Sequence, residues 1–438
     1  MTTPLIPDIF ECAHDKGVEI VTDPSVGIGY VVERDPADPT TPGSPDVHDH
    51  SFVVRAATAQ GRSSGAAQVL CELAAKQTVT CGHHVPRLER RCLHIDAGRH
   101  YFSRDELADL VRLASWCRLN VINLHISETH GYRLASARHP EVTAAEHLTR
   151  DDIAATIELA ASYGIRVVPG FDMPGHLDGV LAAHPEFRLK ASNGNDYPGA
   201  LDILNPDARH FVWDLLDEVI EIFSADEVTI GGDEFLDFGE GVDVLEAEAH
   251  RRWGDDAGEN DVWISFINDT VARLSARGIT AGVYNDGVRV GRVVDLDPAA
   301  LVHYWTRWGA HMAPPAELAR AGHALVNWDG ESCYFVLFHD RLDELPTYDT
   351  VTHRFDPYTY PDKAGAYHHA ATLGATFSIW CDEPDALTST QVIERVAAPL
   401  YAFGERCWPL GRTRTPDAIR AGMDAFAPQP GDNTQQER

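Results

Sequence analysis

The segment TIGGDEF (229–235) places two acidic side chains, Asp233 and Glu234, next to each other after a pair of glycines. In an extended strand, neighbouring side chains point to opposite faces, so adjacent carboxylates do not normally face one ligand. Gly231 and Gly232 tolerate the backbone conformations that turn both side chains toward one cavity. A carboxyl group beside another carboxylate in an apolar pocket has a raised pKa and can act as a general acid. The pair is therefore the predicted catalytic centre, with an acidic pair that caps the following helix as the alternative.

Further polar and aromatic residues follow other apolar runs of the sequence, at the points where predicted strands end. The polar residues are Asp96, Arg99, His125, Glu128, Asp172, His176, Asn285, Asp286, Asp329 and Asp382. The aromatic residues are Tyr284, Trp305, Trp328, Tyr334 and Trp380. In barrels of parallel strands, catalytic groups come from the carboxyl ends of the strands, which meet at one rim. Aromatic faces stack on the apolar faces of sugars, so the pattern favours a carbohydrate site.

The segment DMPGH (172–176) places Asp172 and His176 on either side of a Pro-Gly turn. A histidine near a carboxylate can relay or position protons. An ordinary turn with a hydrogen-bonded histidine is the alternative interpretation of this segment.

Eight short apolar runs alternate with amphipathic segments from about residue 90 onward. The runs are LHIDA (93–97), NVINLHIS (120–127), IRVVPGFD (165–172), EVTIGGDE (227–234), ITAGVYND (279–286), ALVHYWT (300–306), HALVNWD (323–329) and ATFSIW (375–380). Helical patterns include Ser103–Cys117, Arg150–Tyr163, Pro206–Phe223 and Val262–Arg277, and Ser103 with Glu106 matches a capping box. Eight β-then-α units predict an α/β fold, a (β/α)8 TIM barrel. An open doubly wound sheet is disfavoured because no glycine-rich phosphate loop follows the first run.

Residues 1–88 are predicted to form a small α/β domain before the barrel. Within it, GIGYVVE (27–33) and SFVVRAA (51–57) have strand patterns, and Ser64–Lys76 has a helix pattern. A loop rich in Pro and Asp joins the two strands over residues 35–50. The barrel is predicted over residues 89–427, and the polar segment 428–438 is predicted to be a disordered tail.

Charge and cysteine content limit the classes of protein to which the chain can belong. The 438 residues include 67 acidic and 36 basic ones, a formal net charge of −31 that would repel nucleic acid and anionic membranes. No run of about 18 apolar residues predicts a membrane-spanning helix, and the first residues lack the features of a secretory signal. The eight cysteines show no CxxC spacing and are expected to be buried thiols in a reducing compartment. We therefore expect a cytoplasmic protein that binds neither nucleic acid nor membrane.

Several of these segments resemble the family 20 glycoside hydrolases, the β-N-acetylhexosaminidases. They are RCLHIDAGRHYFS (91–103), DMPGHL (172–177), LDILNP (201–206) and TIGGDEF (229–235). Four later segments are most similar to the dispersin branch, which cleaves poly-N-acetylglucosamine: VYNDG (283–287), HYWTRW (303–308), ALVNWDGESCYFV (324–336) and SIWCDE (378–383). The resemblance runs from Arg91 to about Trp408. It implies a TIM barrel after a small α/β domain, and retaining exo-hydrolysis of terminal β-linked N-acetylhexosamine.

The resemblance implies substrate-assisted catalysis, in which the acetamido oxygen of the substrate is the nucleophile and an oxazolinium ion is the intermediate. Glu234 would protonate the glycosidic oxygen and later activate water. Asp233 would hold the acetamido N–H and stabilise the intermediate. Arg99 would bind O3 and O4 of the sugar, since a guanidinium fork suits paired hydroxyls.

The other implied substrate-binding residues surround this centre. Tyr334 would donate a hydrogen bond to the acetamido oxygen, and Trp305 and Trp380 would form walls of the acetamido pocket. Asp172 and His176 would support the general acid. The remaining members of the predicted site are Glu128, Tyr284, Trp328 and Asp382. The resemblance implies an N-acetylhexosamine glycan as the substrate, requires no metal or organic cofactor, and leaves a homodimer open because some relatives are dimers.

Four positions depart from the family pattern. Glu128-Thr129 stands where the family has an Asp-Asp pair, and Tyr284 stands where it has a third tryptophan. The family's Trp-x-Glu after the last strand is Trp380-Cys381-Asp382 here, which can alter the preferred sugar epimer. The loop TRWGAHM (306–312) lacks the acidic residues that the dispersin type presents to cationic glucosamine units, which argues against poly-N-acetylglucosamine.

Other functions remain open from the sequence. The same fold could serve a β-N-acetylgalactosaminidase or a lacto-N-biosidase, and a catalytically inactive sugar-binding protein is a further alternative. A metallohydrolase is suggested by His48-x-His50 and His83-His84, but these pairs lack the helical spacing of a good metal site.

Overall fold

The computed structural model describes residues 4–34, 52–235, 242–362 and 365–408. The predicted loop over residues 35–50 and the predicted tail from residue 428 lie outside these ranges. Within the described ranges, no helix combines the length and the apolar character that crossing a membrane requires.

The N-terminal unit is a four-stranded sheet with two helices packed on it. Its strands are β1 (Val18–Thr22), β2 (Tyr30–Arg34), β3 (Phe52–Ala56) and β4 (Gly82–His84), and its helices are α1 (Ile9–Asp15) and α2 (Ala59–Ala74). The sheet order is β1-β3-β2-β4, with β1 parallel to β3 and the other pairs antiparallel. The small α/β unit is confirmed, and β1 and β4 are strands that the sequence pattern did not predict.

Helix α2 begins at Ala59 rather than at the predicted Ser64. Thr58 is its N-cap, and the Thr58 hydroxyl accepts a hydrogen bond from Gly61 N at 3.0 Å. Glycines in the first half of the helix permit close packing, because a Cβ added at Gly65 would lie 2.3 Å from a Val54 methyl carbon. These glycines also weaken the apolar periodicity, which explains why the first turns were missed.

Eight parallel strands form a closed barrel in the second part of the chain. They are β5 (Arg90–Asp96), β6 (Val121–Glu128), β9 (Arg166–Phe171), β12 (Glu227–Thr229), β13 (Thr280–Tyr284), β14 (Leu301–Tyr304), β15 (Leu325–Asn327) and β19 (Gly374–Trp380). Strand β5 pairs with β6 on one side and with β19 on the other, so the ring closes. Each predicted apolar run supplies one of these strands, which confirms the TIM barrel and excludes the open doubly wound sheet.

Helices connect the barrel strands on the outside of the ring. They are α3 (Arg104–Trp116), α4 (Arg150–Ser162), α6 (Pro206–Phe223), α8 (Glu259–Ser275), α9 (Pro315–Arg320), α10 (Tyr348–Arg354) and α11 (Ser389–Arg406), with α5 (Asp178–Leu181) and α7 (Asp243–Trp253) inside longer connections. The four predicted barrel helices are present. The capping box at the start of α3 is confirmed, because Ser103 and Glu106 bond each other's backbone N–H groups.

The fifth β-then-α unit departs from the prediction, because residues 285–300 between β13 and β14 contain no helix. Side-chain bonds fix this connection instead. The carboxylate of Asp261 on α8 accepts hydrogen bonds from the backbone N–H groups of Val293 and Val294, both at 2.7 Å. The prediction of a helix in every unit was therefore wrong at this position.

Short strands extend several of the connections. They are β7 (Gly131–Leu134), β8 (Thr143–Leu148), β10 (Arg188–Lys190), β11 (Asp196–Leu201), β16 (Tyr334–Val336), β17 (Thr359–Tyr360) and β18 (Tyr367–His368). Strand β16 pairs in parallel with the end of β19, where Val336 lies opposite Trp380. This pairing brings the connection after β15 to the rim of the barrel.

The inside of the barrel is polar where aliphatic layers are usual. His94, His125 and His303 are fully buried, and burial lowers the pKa of each imidazole, so all three are neutral at pH 7. His94 Nδ1 lies 2.8 Å from Asn123 Oδ1, and Asn123 Nδ2 donates to Thr229 Oγ1 at 2.8 Å. Hydrogen bonds between side chains thus tie β5, β6 and β12 together in the interior.

A buried ion-pair cluster joins the amino ends of three barrel strands. Glu227, the first residue of β12, accepts hydrogen bonds from Arg90 at the start of β5 and, at 2.7 Å, from Arg166 at the start of β9. The Arg90 and Glu227 side chains are only 4% and 7% exposed. The buried positive charge of Arg90 is therefore stabilised by the negative charge of Glu227, and the reverse also holds.

We expect Glu227→Gln to lower the free energy of unfolding by about 3 kcal/mol or more, because it leaves the Arg90 guanidinium buried without its carboxylate. Urea unfolding followed by circular dichroism measures this change. Asp226→Asn is the matched control: Asp226 binds the same Arg166 at 3.0 Å but is 75% exposed, so its loss should cost less than about 1 kcal/mol. Equal losses in the two variants would contradict the prediction.

Candidate active site

A cavity of about 280 Å³ opens at the carboxyl ends of the barrel strands. The predicted site residues that line it are Arg99, Glu128, His176, Asp233, Glu234, Tyr284, Trp305, Tyr334, Trp380 and Asp382. Three residues that were not predicted, Trp308, Val336 and Phe338, complete the lining. The site therefore gathers side chains from around the whole ring at the rim where barrel enzymes place their catalytic groups.

The backbone around Asp233 and Glu234 is sharply turned after β12. Gly231 and Gly232 have φ angles of 70° and 92°, and Glu234 itself has a φ of 48°. A Cβ added at Gly231 would lie 2.3 Å from a carboxylate oxygen of Asp172, so no larger residue fits there without a shift. Asp286 holds the turn from the other side, accepting a hydrogen bond from Glu234 N at 2.9 Å. Both acidic side chains consequently line the same cavity, as the glycine pair predicted.

The two carboxyl groups hold protons more tightly than free ones. Burial raises the pKa of Asp233 to about 7, against the opposing charge of His176. Burial also raises the pKa of Glu234, with His176 opposing and the charge of Asp286 adding to the increase. The Glu234 side chain remains 37% exposed, so it can exchange protons with a bound ligand and with solvent.

His176 is a cation placed among these carboxylates. Its Nδ1 lies 3.1 Å from Glu128 Oε1, and its Nε2 lies 3.8 Å from Asp233 Oδ2 and 3.6 Å from Glu234 Oε2. Burial by itself lowers the pKa of His176, but Glu128 and Asp233 outweigh it and hold the pKa well above its usual range. The imidazolium thus balances part of the negative charge at the centre of the cavity.

Arg99 is a second cation that binds Glu128, and it is held in place by three neighbouring side chains. Its guanidinium lies 3.0 Å from Asp96 Oδ2 and 2.6 Å from Glu128 Oε1, and it lies over the Trp380 ring at 5.5 Å from the centroid. Burial raises the pKa of the nearby Asp382, with the charge of Arg99 opposing. Arg99 and Asp382 therefore present a donor and an acceptor to hydroxyl groups at this end of the cavity.

Four aromatic rings close another side of the cavity. Trp305 and Tyr334 are stacked with centroids 6.0 Å apart and an interplanar angle of 9°. Trp380 lies 6.2 Å from Tyr334 and 6.4 Å from Tyr284. Together they form an apolar box next to Asp233 that suits a small alkyl group.

Asp172 and Trp328 do not line the cavity, although both were placed among the predicted substrate-binding residues; for Asp172 the expected role was to support the general acid. Asp172 is buried with its Oδ2 3.4 Å from His125 Nε2, and burial together with the charge of Asp233 raises its pKa well above the usual range. Trp328 is fully buried and stacks on His303 at 4.4 Å. Burial behind the rim keeps both side chains from a ligand, and Trp328 also packs edge-on against the lining residue Tyr284 at 5.3 Å.

Asp286 is an important residue that the predicted site omitted. Besides holding Glu234 N, it accepts a hydrogen bond from Trp305 Nε1 at 2.9 Å, so it couples the acidic pair to the aromatic box. Its position at the end of an apolar run was a usable signal. Val336 and Phe338 also had a signal, because they follow Tyr334 at the two-residue period of a strand. Trp308 lies in a loop, where no periodicity marks a lining residue.

One group of three potential metal ligands occurs in the described part of the chain: His125, Glu128 and Asp172 offer ligand atoms within 4.8 Å of one another. Glu128 already binds two cationic groups, Arg99 and His176, which would repel a metal ion. The predicted metallohydrolase histidines are elsewhere. His83 and His84 place ring nitrogens 2.8 Å and 3.1 Å from backbone oxygens, and residues 48–50 lie outside the described ranges.

Comparisons with known proteins agree with this geometry. Residues 89–410 match the catalytic domain of glycosyl hydrolase family 20. The chain is 29% identical over 271 residues to the lacto-N-biosidase of Bifidobacterium bifidum, covering 60% of this chain but 23% of that protein. It is 27% identical over 378 residues to the β-N-acetylhexosaminidase of Cellulomonas fimi, covering 78% of this chain and 68% of that one.

Solved structures show the same fold. The exo-β-N-acetylglucosaminidase of Vibrio harveyi, solved with N-acetylglucosamine, superposes with a TM-score of 0.73 at 16% identity, covering 97% of this chain and 72% of that one. The residues that match the family domain make up more than half of the chain and contain all eight barrel strands with their cavity. The chain therefore belongs to glycosyl hydrolase family 20.

Proposed function

We propose that this protein is a retaining exo-β-N-acetylhexosaminidase that removes terminal β-linked N-acetylhexosamine by substrate-assisted catalysis. The observation that carries the proposal is the convergence of Asp233 and Glu234 on a cavity that has an apolar box beside Asp233. The cavity volume of about 280 Å³ lies at the lower limit of small-molecule sites, which favours one sugar ring at a chain end.

In the proposed first step, the substrate's acetamido oxygen attacks C1 and the bond from C1 to the glycosidic oxygen breaks. Glu234 gives its proton to that leaving oxygen, a role that its raised pKa favours. Asp233 accepts a hydrogen bond from the acetamido N–H and stabilises the positive charge of the oxazolinium ion. In the second step, Glu234 takes a proton from water, the water oxygen bonds to C1, and the bond from C1 to the acetamido oxygen breaks, which opens the oxazolinium ring and restores the acetamido group.

The other residues bind and orient the sugar in this proposal. The acetamido methyl group fits between Tyr284, Trp305 and Trp380, and the Tyr334 hydroxyl donates to the acetamido oxygen. Arg99 and Asp382 contact the hydroxyls farthest from C1. His176 keeps charge balance around the acidic pair, and Asp172 and Trp328 act through the side chains they support.

A lacto-N-biosidase activity, the release of a disaccharide rather than one sugar, is the second candidate. The sequence similarity to the Bifidobacterium bifidum lacto-N-biosidase favours it, although the aligned part is 23% of that enzyme. Hydrolysis of aryl lacto-N-bioside in preference to aryl β-N-acetylglucosaminide and β-N-acetylgalactosaminide would select this candidate. The ratio between the last two substrates reports the epimer preference that Asp382 affects.

We expect wild-type turnover of p-nitrophenyl β-N-acetylglucosaminide or β-N-acetylgalactosaminide, with kcat/KM falling by about 100-fold or more in Glu234→Gln and in Asp233→Asn. The first variant loses the proton donor and the second loses the charge that stabilises the intermediate. Glu19→Gln, which removes an exposed carboxylate of the N-terminal unit, is the control and should match wild type. Full activity in either site variant would exclude the assigned role.

The acetamido oxygen should be the nucleophile, and replacing the N-acetyl group by N-trifluoroacetyl tests this directly. Fluorine withdraws electrons from the amide oxygen, so we expect kcat/KM to fall by about tenfold or more on the same aryl leaving group. If a side chain of the enzyme were the nucleophile, kcat/KM would change little with the fluorine substitution. A β-glucoside without the acetamido group should not be cleaved.

The pH profile should respond to Asp286→Asn. The negative charge of Asp286 contributes to the raised pKa of Glu234, so its removal lowers that pKa. Since Glu234 must be protonated to act as the acid, the alkaline limb of kcat/KM should move to lower pH. Asparagine also has one acceptor oxygen for two donors, Glu234 N and Trp305 Nε1, so the maximum rate should fall. Loss of rate with an unmoved alkaline limb would show a purely structural role, and Glu19→Gln again serves as the control.

A further inference from the structure

Arg99 and Asp382 lie on two connections that leave the barrel from the neighbouring strands where the ring closes. The first connection, residues 97–103, follows β5, and the last connection, residues 381–388, follows β19. The last residue of β5 that pairs with β19 is Ile95. Arg99 and Asp382 both lie beyond this pairing, so the strands alone do not fix the distance between the two side chains.

Asp96 makes the first side-chain link between the two connections. Its Oδ1 accepts a hydrogen bond from Arg99 N at 2.9 Å, and its Oδ2 accepts one from the Arg99 guanidinium at 3.0 Å. Oδ2 also accepts a hydrogen bond from Cys381 N at 3.0 Å. Asp96 is fully buried. One carboxylate therefore holds both Arg99 and the residue that precedes Asp382.

His100, the neighbour of Arg99 in the chain, makes a second link with both of its ring nitrogens. Nδ1 lies 2.7 Å from the carbonyl oxygen of Pro384, and a carbonyl can only accept, so Nδ1 is the donor. Nε2 lies 2.9 Å from Oγ of Ser389, the first residue of α11. His100 is not among the residues that line the catalytic cavity. The imidazole therefore ties the first connection to the last one from outside the cavity.

The last connection is also held by the segment that follows β16. Glu383 N donates a hydrogen bond to Leu337 O at 3.0 Å, and Glu383 Oε2 accepts one from His339 N at 2.5 Å. The main chain at Asp382 is thus fixed both from this segment and from the first connection. An aspartate side chain has only two torsions, so its carboxylate follows the position of its main chain closely.

The separation of Arg99 and Asp382 matters because the two side chains offer a donor and an acceptor to the same end of a ligand. A hydroxyl that donates to the carboxylate and accepts from the guanidinium needs both partners at about 2.7–3.2 Å. Arg99 is already fixed by Asp96, Glu128 and Trp380. The placement of the last connection relative to the first is therefore the variable that decides whether both bonds form.

We propose that His100 is a positioning residue that sets the separation of Arg99 and Asp382 and thereby the recognition of the sugar hydroxyls farthest from C1. The inference rests on the proposed function, because it takes these two residues as the partners of those hydroxyls. It assigns part of the selectivity for the sugar to a histidine outside the cavity. His100 is the informative residue to change, since Asp96 binds Arg99 directly and its loss would disturb the guanidinium itself.

The test measures how much one hydroxyl contributes to kcat/KM with and without His100. The substrates are the better of p-nitrophenyl β-N-acetylglucosaminide and β-N-acetylgalactosaminide, and the 4-deoxy analogue, which is the same for both epimers. In wild type, we expect kcat/KM to be about 20-fold lower for the 4-deoxy analogue, as for the loss of a hydrogen bond to charged groups. In His100→Ala, this ratio should fall to about fourfold, because the partners of that hydroxyl no longer have the right separation.

Ser389→Ala repeats the test with less disturbance of the fold. It keeps the imidazole and removes only its Nε2 partner, so the ratio should fall about twofold from the wild-type value. His339→Ala is the matched control. His339 Nε2 binds Asp385 of the same connection at 3.0 Å, but the side chains are 56% and 85% exposed, so the ratio should match wild type. Thermal unfolding followed by circular dichroism verifies that each variant is folded.

Three outcomes would contradict the inference, and they differ in what else they exclude. A ratio that stays at the wild-type value in His100→Ala and Ser389→Ala, even with lower rates on both substrates, would show a merely structural role and leave the proposed function intact. Equal cleavage of the full substrate and the 4-deoxy analogue by wild type would exclude the assigned role of Arg99 and Asp382. A wild-type protein that cleaves neither epimer would overturn the proposed function and the inference with it.

Discussion

The compensation of buried charge is the constraint on which the site depends. Glu128, Asp172, Asp233 and Asp286 are withdrawn from water around one cavity, with Glu234 at its edge. Carboxylates so close together cannot all be ionised unless cations lie between them. Burial by itself raises the pKa of Glu128, but His176 and Arg99 outweigh it and lower that pKa. At Asp233 and Glu234, burial outweighs the charge of His176, so their pKa values stay raised. The cluster therefore combines an ionised Glu128 with carboxyl groups of raised pKa, which include Glu234, the proton donor of the proposed mechanism.

The barrel supplies the precision that this charge arrangement requires. Glu128 ends a strand that pairs on both sides, and Asp233 follows a strand held between two others, so neither main chain can drift. The left-handed backbone at Gly231, Gly232 and Glu234 then places both acidic side chains in one cavity. Such conformations are costly for residues with side chains. The hydrogen bond from Glu234 N to Asp286 offsets part of that cost and connects the turn to the aromatic box.

The sequence predicted the barrel, the acidic pair and most of the cavity lining, because strand ends are marked by a switch from apolar runs to polar residues. The prediction was wrong where no periodic pattern of apolar and polar residues marked the structure. The missing helix between β13 and β14 could not be foreseen from a strict alternation of strands and helices, since hydrogen bonds from the backbone N–H groups of Val293 and Val294 to Asp261 fix this connection instead. Trp328 and Trp305 both follow strands and look alike in the sequence. Only the packing of Trp328 on His303 shows that one is buried and the other lines the cavity.

Three of the lining residues, Trp308, Val336 and Phe338, lie outside the eight-stranded ring, and in the proposed function they need less precise placement than the acidic pair. In the proposed mechanism, a proton donor misplaced by about 1 Å would lose much of its rate, and the glycine turn together with the hydrogen bond from Glu234 N to Asp286 fixes the acidic pair. Stacking on a sugar tolerates larger displacements, because ring faces present broad surfaces. Trp308 lies in the connection after β14, and Val336 and Phe338 lie on or just beyond the short strand β16, outside the eight-stranded ring. Under the proposed function, substitutions there would change which glycan fits without moving the acidic pair, since loop residues are where members of one barrel family can differ in specificity.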